Sequence, residues 1–157
     1  MKPESYLMNI AIEEAEKAYR LDEVPVGAVI VDSDGKIVSK AHNDKEKTNN
    51  PCGHAEILAI QKASSEISNW RLSGYHLYVT LEPCLMCMGA IMSARLDSLT
   101  FGAYDKKGGS LSLGYRIPFD TKLNHRFSVA GGVEHFRCSK MLSDFFKEKR
   151  NKYNFKK

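Results

Sequence analysis

The chain reads as an α/β protein: a three-layer αβα arrangement in which helices cover both faces of one mixed, five-stranded sheet. Three observations predict this. An amphipathic helical segment opens the sequence, a β-branched hairpin follows it, and two successive units each set an apolar or polar lead-in against the start of a helix. Alternation of strand and helix patterns builds layered α/β folds. A length of 157 residues suits one domain over 1–157, and 43% hydrophobic against 27% charged residues supplies a core that a disordered chain lacks.

The elements follow in order. Over residues 5–20, Met8, Ala11, Ile12, Ala15, Ala18 and Tyr19 share one helical face, with Glu13, Glu14, Glu16 and Lys17 mostly on the other. Val24 to Val31 is a β-branched run, Asp32-Ser33-Asp34-Gly35 is a turn, and Lys36 to Lys40 completes a hairpin. Asn43 to Gly53 is polar and rich in turn residues, so it predicts a loop; His54 to Ile60 then begins a helix. His76 to Leu81 is a strand, Glu82-Pro83 a turn, Cys84 to Arg95 an apolar helix, and Ser98 to Ala103 another strand. Tyr104 to His125 has no sustained period and reads as a long surface loop of the kind that carries function. Arg126 to Gly131 gives a last strand, and 134–150 a helix whose apolar face is Phe136, Met141, Leu142, Phe145 and Phe146, with Cys138 packed and a fraying lysine-rich end.

Composition narrows the function. No apolar run approaches the roughly 20 residues of a membrane span, and Met1-Lys2-Pro3-Glu4 lacks the order of a signal peptide, so the expectation is a cytoplasmic protein without a membrane partner. In a reducing compartment the four cysteines at 52, 84, 87 and 138 point to metal binding or free thiols rather than disulfides. The net charge of +4 is concentrated in the last eleven residues, which hold six basic groups and one acidic; the rest of the chain carries −1.

The chemistry lies in His54-Ala55-Glu56 and Pro83-Cys84-Leu85-Met86-Cys87. Cysteines at i and i+3 share a helix face, and a helix N-terminus lowers thiol pKa and favours the thiolates zinc needs. One imidazole and two thiolates make three protein ligands and leave a fourth tetrahedral position for water, the arrangement of a catalytic zinc. A structural zinc would need Cys52 as a fourth ligand and would have no use for Glu56, which can stay off the metal and act as general acid/base. H-x-E followed by P-C-x-x-C is the signature of zinc nucleobase deaminases, and the chain matches each specified position.

With Glu23 to Val29, Gly53 to Ile57, Leu77 to Cys87, Phe101 to Asp105, Asn124-His125-Arg126 and Leu142 to Phe146, the chain resembles the bacterial tRNA-specific adenosine deaminases of the cytidine deaminase-like superfamily over nearly its whole length. It departs from the family pattern at Cys52-Gly53 and Tyr104. The resemblance implies one zinc per subunit on His54, Cys84 and Cys87, with Glu56 as proton shuttle. It also implies deamination of the wobble adenosine of an arginine tRNA to inosine, by a homodimer whose second subunit helps line the site. It implies that Asn43 bonds the extruded base and Asp105 the adjoining sugar, with Lys106, Asn124, Arg126, Phe146 and Arg150 as further contacts to the anticodon stem-loop; loop capping and turn formation are the alternative roles of Asn43 and Asp105. Beside Phe145, Phe146 and Tyr153, the basic groups Lys147, Lys149, Arg150 and Lys152 have the composition of a single-strand RNA contact. Two other readings remain at this point: a deaminase of free guanine, cytosine or a nucleoside, and a non-catalytic zinc or RNA-binding module.

Overall fold

The computed structural model describes residues 3–154. Its elements are α1 (Glu4–Arg20), β1 (Gly27–Val31), β2 (Ile37–His42), α2 (Ala55–Glu66), β3 (His76–Leu81), α3 (Leu85–Ser93), β4 (Ser98–Ala103), β5 (Ser128–Gly131) and α4 (His135–Asn154), with a single 3₁₀ turn at Ile117–Phe119. The strands form one sheet in the order β2-β1-β3-β4-β5. β1 runs antiparallel to β2 and β3, whereas β3, β4 and β5 are parallel, so the sheet is mixed as the element order predicts.

The layers follow from strand alternation. In β1, Gly-Ala-Val-Ile-Val, every residue is buried, which requires cover on both faces. Val29 and Val31, with Tyr78 of β3, pack on Leu7, Met8, Ala11 and Ile12 of α1 and Cys138 of α4. Ala28 and Ile30, with Leu77 and Val79 of β3, pack on Ala55, Ala59 and Ala63 of α2 and Met88 and Ile91 of α3. Each fully buried large aliphatic contributes about 1.5–3 kcal/mol. α1 lies close on the sheet where β1 begins with glycine: a Cβ on Gly27 would fall 1.9 Å from the Ala11 carbonyl oxygen. The hairpin turn is closed by Asp32, whose Oδ1 accepts the amides of Asp34 (3.0 Å) and Lys36 (2.9 Å), with Gly35 at φ 78°.

Several boundaries differ from the sequence reading. β1 begins at Gly27, not Val24, because Pro25 has no amide to donate and Val26 turns back to bond the Val24 carbonyl at 2.8 Å. β2 spans 37–42 rather than 36–40, α3 spans 85–93 rather than 84–95, β5 begins at 128 rather than 126, and the 104–125 loop contains the 3₁₀ turn. α4 continues past 150 to Asn154; residues 155–157 of the basic tail, and Met1 and Lys2, lie outside the described residues. Its inward face is also different. Cys138 and Phe145 are buried, Phe136 is 76% exposed and Phe146 44% exposed, because α4 covers only the β3–β4 part of the sheet and its other flank meets solvent. On α1, Glu14 is buried rather than outward, held by Lys17 at 2.6 Å.

Candidate active site

Two helices on the same face of the sheet bring their N-termini together. His54 is the N-cap residue of α2, and Glu56 lies in its first turn. Cys84 is the N-cap residue of α3, placed there by the Pro83 turn that ends β3, and Cys87 is one turn further. Neither N-cap side chain caps its own helix, which leaves both free for another partner. His54 Nδ1 lies 3.6 Å from Cys84 Sγ and 3.5 Å from Cys87 Sγ.

The electrostatics suit a cation. The hydrogen bond from Cys87, and then that from His54, holds the Cys84 thiol down to about 4, while the same pairing and burial push Cys87 up. One thiolate is therefore ready beside a thiol whose proton a cation would displace. The hydrogen bond with Cys84 raises the His54 pKa. Glu56 is 4% exposed, and burial pushes its carboxyl up to about 7 against the opposing charge of His54. Both helix N-termini add partial positive charge at the thiolate.

The donor set also fits zinc by length. With Zn–S near 2.3 Å, Zn–N near 2.0–2.1 Å and a tetrahedral angle, a nitrogen and a sulfur on one zinc should stand about 3.6 Å apart. The two measured separations match that edge. Among the described residues this is the group of His, Cys, Asp or Glu side chains close enough to hold a metal. Cys52 is exposed and outside it, which removes the fourth ligand that a structural site would have used.

The other residues expected at the site fall into three places. Asn43 sits beside the metal group, its Oδ1 accepting the Ala55 amide at 2.8 Å. Asp105, Lys106, Phe146 and Arg150 line one groove of about 810 Å³ between the loop after β4 and α4. Asp105 turns that loop, its Oδ1 accepting the amides of Lys107 (3.0 Å) and Gly108 (3.1 Å). Asn124 and Arg126 are not brought there. They precede β5, whose first residue pairs with the first residue of the parallel β4, so they lie at the opposite end of the strands; Asn124 accepts from Arg95 at 3.0 Å and Arg126 donates to the Thr121 carbonyl at 3.4 Å. In the basic helix end, Lys149 is engaged by Asp22 at 2.7 Å. Two buried acids, Glu23 and Glu82, were not singled out from sequence; the available signal was a carboxylate flanked by apolar and proline residues, Glu-Val-Pro and Leu-Glu-Pro.

Comparison with known proteins agrees with this chemistry. The family model for the cytidine and deoxycytidylate deaminase zinc-binding region matches residues 1–103. A tRNA-specific adenosine deaminase of Bacillus subtilis is 43% identical over 152 residues, which cover 97% of this chain and 94% of that protein. A structure from a study of A-to-I editing by tRNA:A34 deaminases at the wobble position superposes with a TM-score of 0.81 at 37% identity, over 88% of this chain and 99% of that one. A Bacillus subtilis guanine deaminase structure gives a TM-score of 0.64 at 31% identity, over 73% and 71%. With its metal-competent His54–Cys84–Cys87 group in place and near-full-length likeness to the tRNA enzymes, the chain belongs to the tRNA-specific adenosine deaminase family of zinc-dependent deaminases.

Proposed function

We propose that this protein hydrolyses the exocyclic amine of an adenosine in a tRNA anticodon loop, at the first anticodon position, to give inosine and ammonia. The observation that carries this is a buried carboxyl, Glu56, beside a His54–Cys84–Cys87 group whose spacing fits zinc. Zinc, when bound, is a Lewis acid that brings the acidity of water close to neutrality. Glu56 takes one proton of the attacking water and passes it to ring N1 as the oxygen adds at C6; it then carries the second water proton, from the new C6 hydroxyl, to the exocyclic nitrogen, so that the C6–N bond breaks, ammonia leaves and C6 becomes a carbonyl. Asn43 turns its Oδ1 to the Ala55 amide, so its Nδ2 is the atom available to donate to the base. Asp105 spends Oδ1 on its own turn, and Oδ2 is free for a ribose hydroxyl.

The groove beside Asp105 presents Lys106 and Arg150 for phosphates and the exposed ring of Phe146 for stacking, which favours a polynucleotide over a free base. A loop adenosine is already partly unstacked, so extruding it costs less than from a duplex. The reading extends to a cytoplasmic homodimer acting on an arginine tRNA, in which Asn124 and Arg126 serve the site of the partner subunit. Among the described residues no helix is long and apolar enough to cross a membrane.

The test is inosine formation by zinc-loaded protein on an arginine anticodon stem-loop, beside free adenosine, cytosine, cytidine and guanine. Turnover on the stem-loop alone is expected; turnover on a free base alone would overturn the RNA reading. Glu56→Ala should keep its zinc and lose about 10²–10⁴ in rate. A variant that retained the rate would overturn Glu56 as the proton carrier, whereas unaltered zinc with abolished turnover would exclude a non-catalytic module.

A further inference from the structure

Besides Glu14, which Lys17 holds, two carboxylates are buried outside the metal group: Glu23 and Glu82 are each 2% exposed. A charge taken out of water is tolerated only when hydrogen bonds replace its hydration. In both cases a loop supplies them through its backbone.

Glu82, at the end of β3, accepts the Asp105 amide on Oε2 at 3.0 Å, the Ser112 amide on Oε1 at 2.7 Å and the Ser112 hydroxyl on Oε2 at 2.5 Å. The loop closes over it so tightly that a Cβ on Gly109 would fall 2.3 Å from Cδ of the carboxylate. The Ser110 amide bonds the Pro83 carbonyl at 2.9 Å, so the segment holding Asp105 is stitched to the two residues just before Cys84. Glu23 plays the same part for the other loop. It accepts the Lys45 amide on Oε2 at 3.1 Å and the Lys47 amide on Oε1 at 2.8 Å, in the segment that starts at Asn43 and ends at His54. Asp44 and Gly53 close that segment with a 2.9 Å backbone bond.

We propose that Glu82 and Glu23 are positioning residues, each an internal anion around which one substrate-facing loop is wrapped: Glu82 sets the place of Asp105 relative to Cys84, and Glu23 that of Asn43 relative to His54. As acceptor-only groups they select a single loop conformation; a glutamine of the same shape would aim an N–H at a backbone N–H and abolish one contact. In its substrate part the proposal rests on the anticodon-loop reading.

The experiment uses full-length, zinc-loaded Glu82→Gln and Glu23→Gln. Amide hydrogen exchange needs no substrate. Glu82→Gln should speed exchange at Asp105 and Ser112 by about tenfold and leave Lys45 and Lys47 unchanged, and Glu23→Gln should do the reverse. On the stem-loop, Glu82→Gln should raise KM about tenfold with kcat within about threefold, and this penalty should vanish in an Asp105→Ala background. Ser112→Ala, a milder change on an exposed loop residue, should give the same pattern at about threefold. Unchanged local exchange, or a penalty that simply adds to that of Asp105→Ala, would overturn the proposal. A stem-loop that wild type does not deaminate would sink the substrate reading alone, and the exchange pattern would still decide whether the acids hold the loops.

Discussion

In the proposed function Asn43 serves two partners through two different atoms, and two substitutions can separate them. Its Oδ1 accepts the amide of Ala55, the first residue of α2, at 2.8 Å, while the N-cap residue His54 makes no side-chain cap. The loop thus supplies the cap that the helix lacks. Asn43→Ala leaves that amide without its partner, a loss of about 1 kcal/mol, or roughly 3 °C in Tm for a chain of this size. Asn43→Asp keeps an acceptor oxygen and adds a negative charge at a helix N-terminus, so its Tm should stay within about 1 °C of wild type. Both variants lack Nδ2. If that group donates to the extruded base, losing it costs about 2 kcal/mol, roughly 30-fold in kcat/KM, and the aspartate does no better than the alanine because it opposes an acceptor to an acceptor. Thermal unfolding and single-turnover inosine formation of the zinc-loaded proteins read the two effects independently. An aspartate variant as unstable as the alanine variant would refute the capping argument, and one as active as wild type would refute the contact to the base.

Three further outcomes follow from packing and charge. Gly27→Ala should lose about 3 kcal/mol in urea unfolding, since the new methyl meets backbone of α1 that cannot swing aside. Gly109→Ala, whose methyl would meet the Glu82 carboxylate, should lower kcat/KM on the stem-loop about tenfold at unchanged zinc content, checked by steady-state kinetics and metal analysis. Arg150→Ala should weaken stem-loop binding at all sequences and reduce the slope of log affinity against log salt by about 0.7, measured by titration at several salt concentrations.

The metal group was legible because its logic is local. His54 and Glu56 share one helical turn, as do Cys84 and Cys87, and a proline marks the start of the second helix. The sheet was legible for a similar reason: β1, β3 and β4 are short, largely apolar stretches bounded by turn residues. Errors collected where the deciding partner is distant in sequence. Phe136 has the helical spacing of a core residue and is exposed, while Cys138 two positions on is buried against β3 and β4, because only the docking angle of α4 chooses between them. Glu14 turned inward because Lys17 and the approach of α1 to β1 gave its carboxylate a partner.

The sequence by itself determined the αβα architecture, the zinc-competent donor types and the acid beside them, since the strands and helices are specified locally and the site residues come as two pairs, His54 with Glu56 and Cys84 with Cys87, each within one turn. Only the tertiary structure decided that His54 and Cys84, at the tips of α2 and α3, meet within 3.6 Å, that Asp105, Lys106, Phe146 and Arg150 share a groove while Asn124 and Arg126 lie at the opposite end of the strands, and that Glu23 and Glu82 are buried acids accepting hydrogen bonds from loops 22 to 30 residues away. The physical reason is range. Helix and strand preferences act over a few residues, whereas a buried carboxylate is tolerated only where the folded chain delivers hydrogen-bond donors to it, and sequence spacing does not show where those donors will come from.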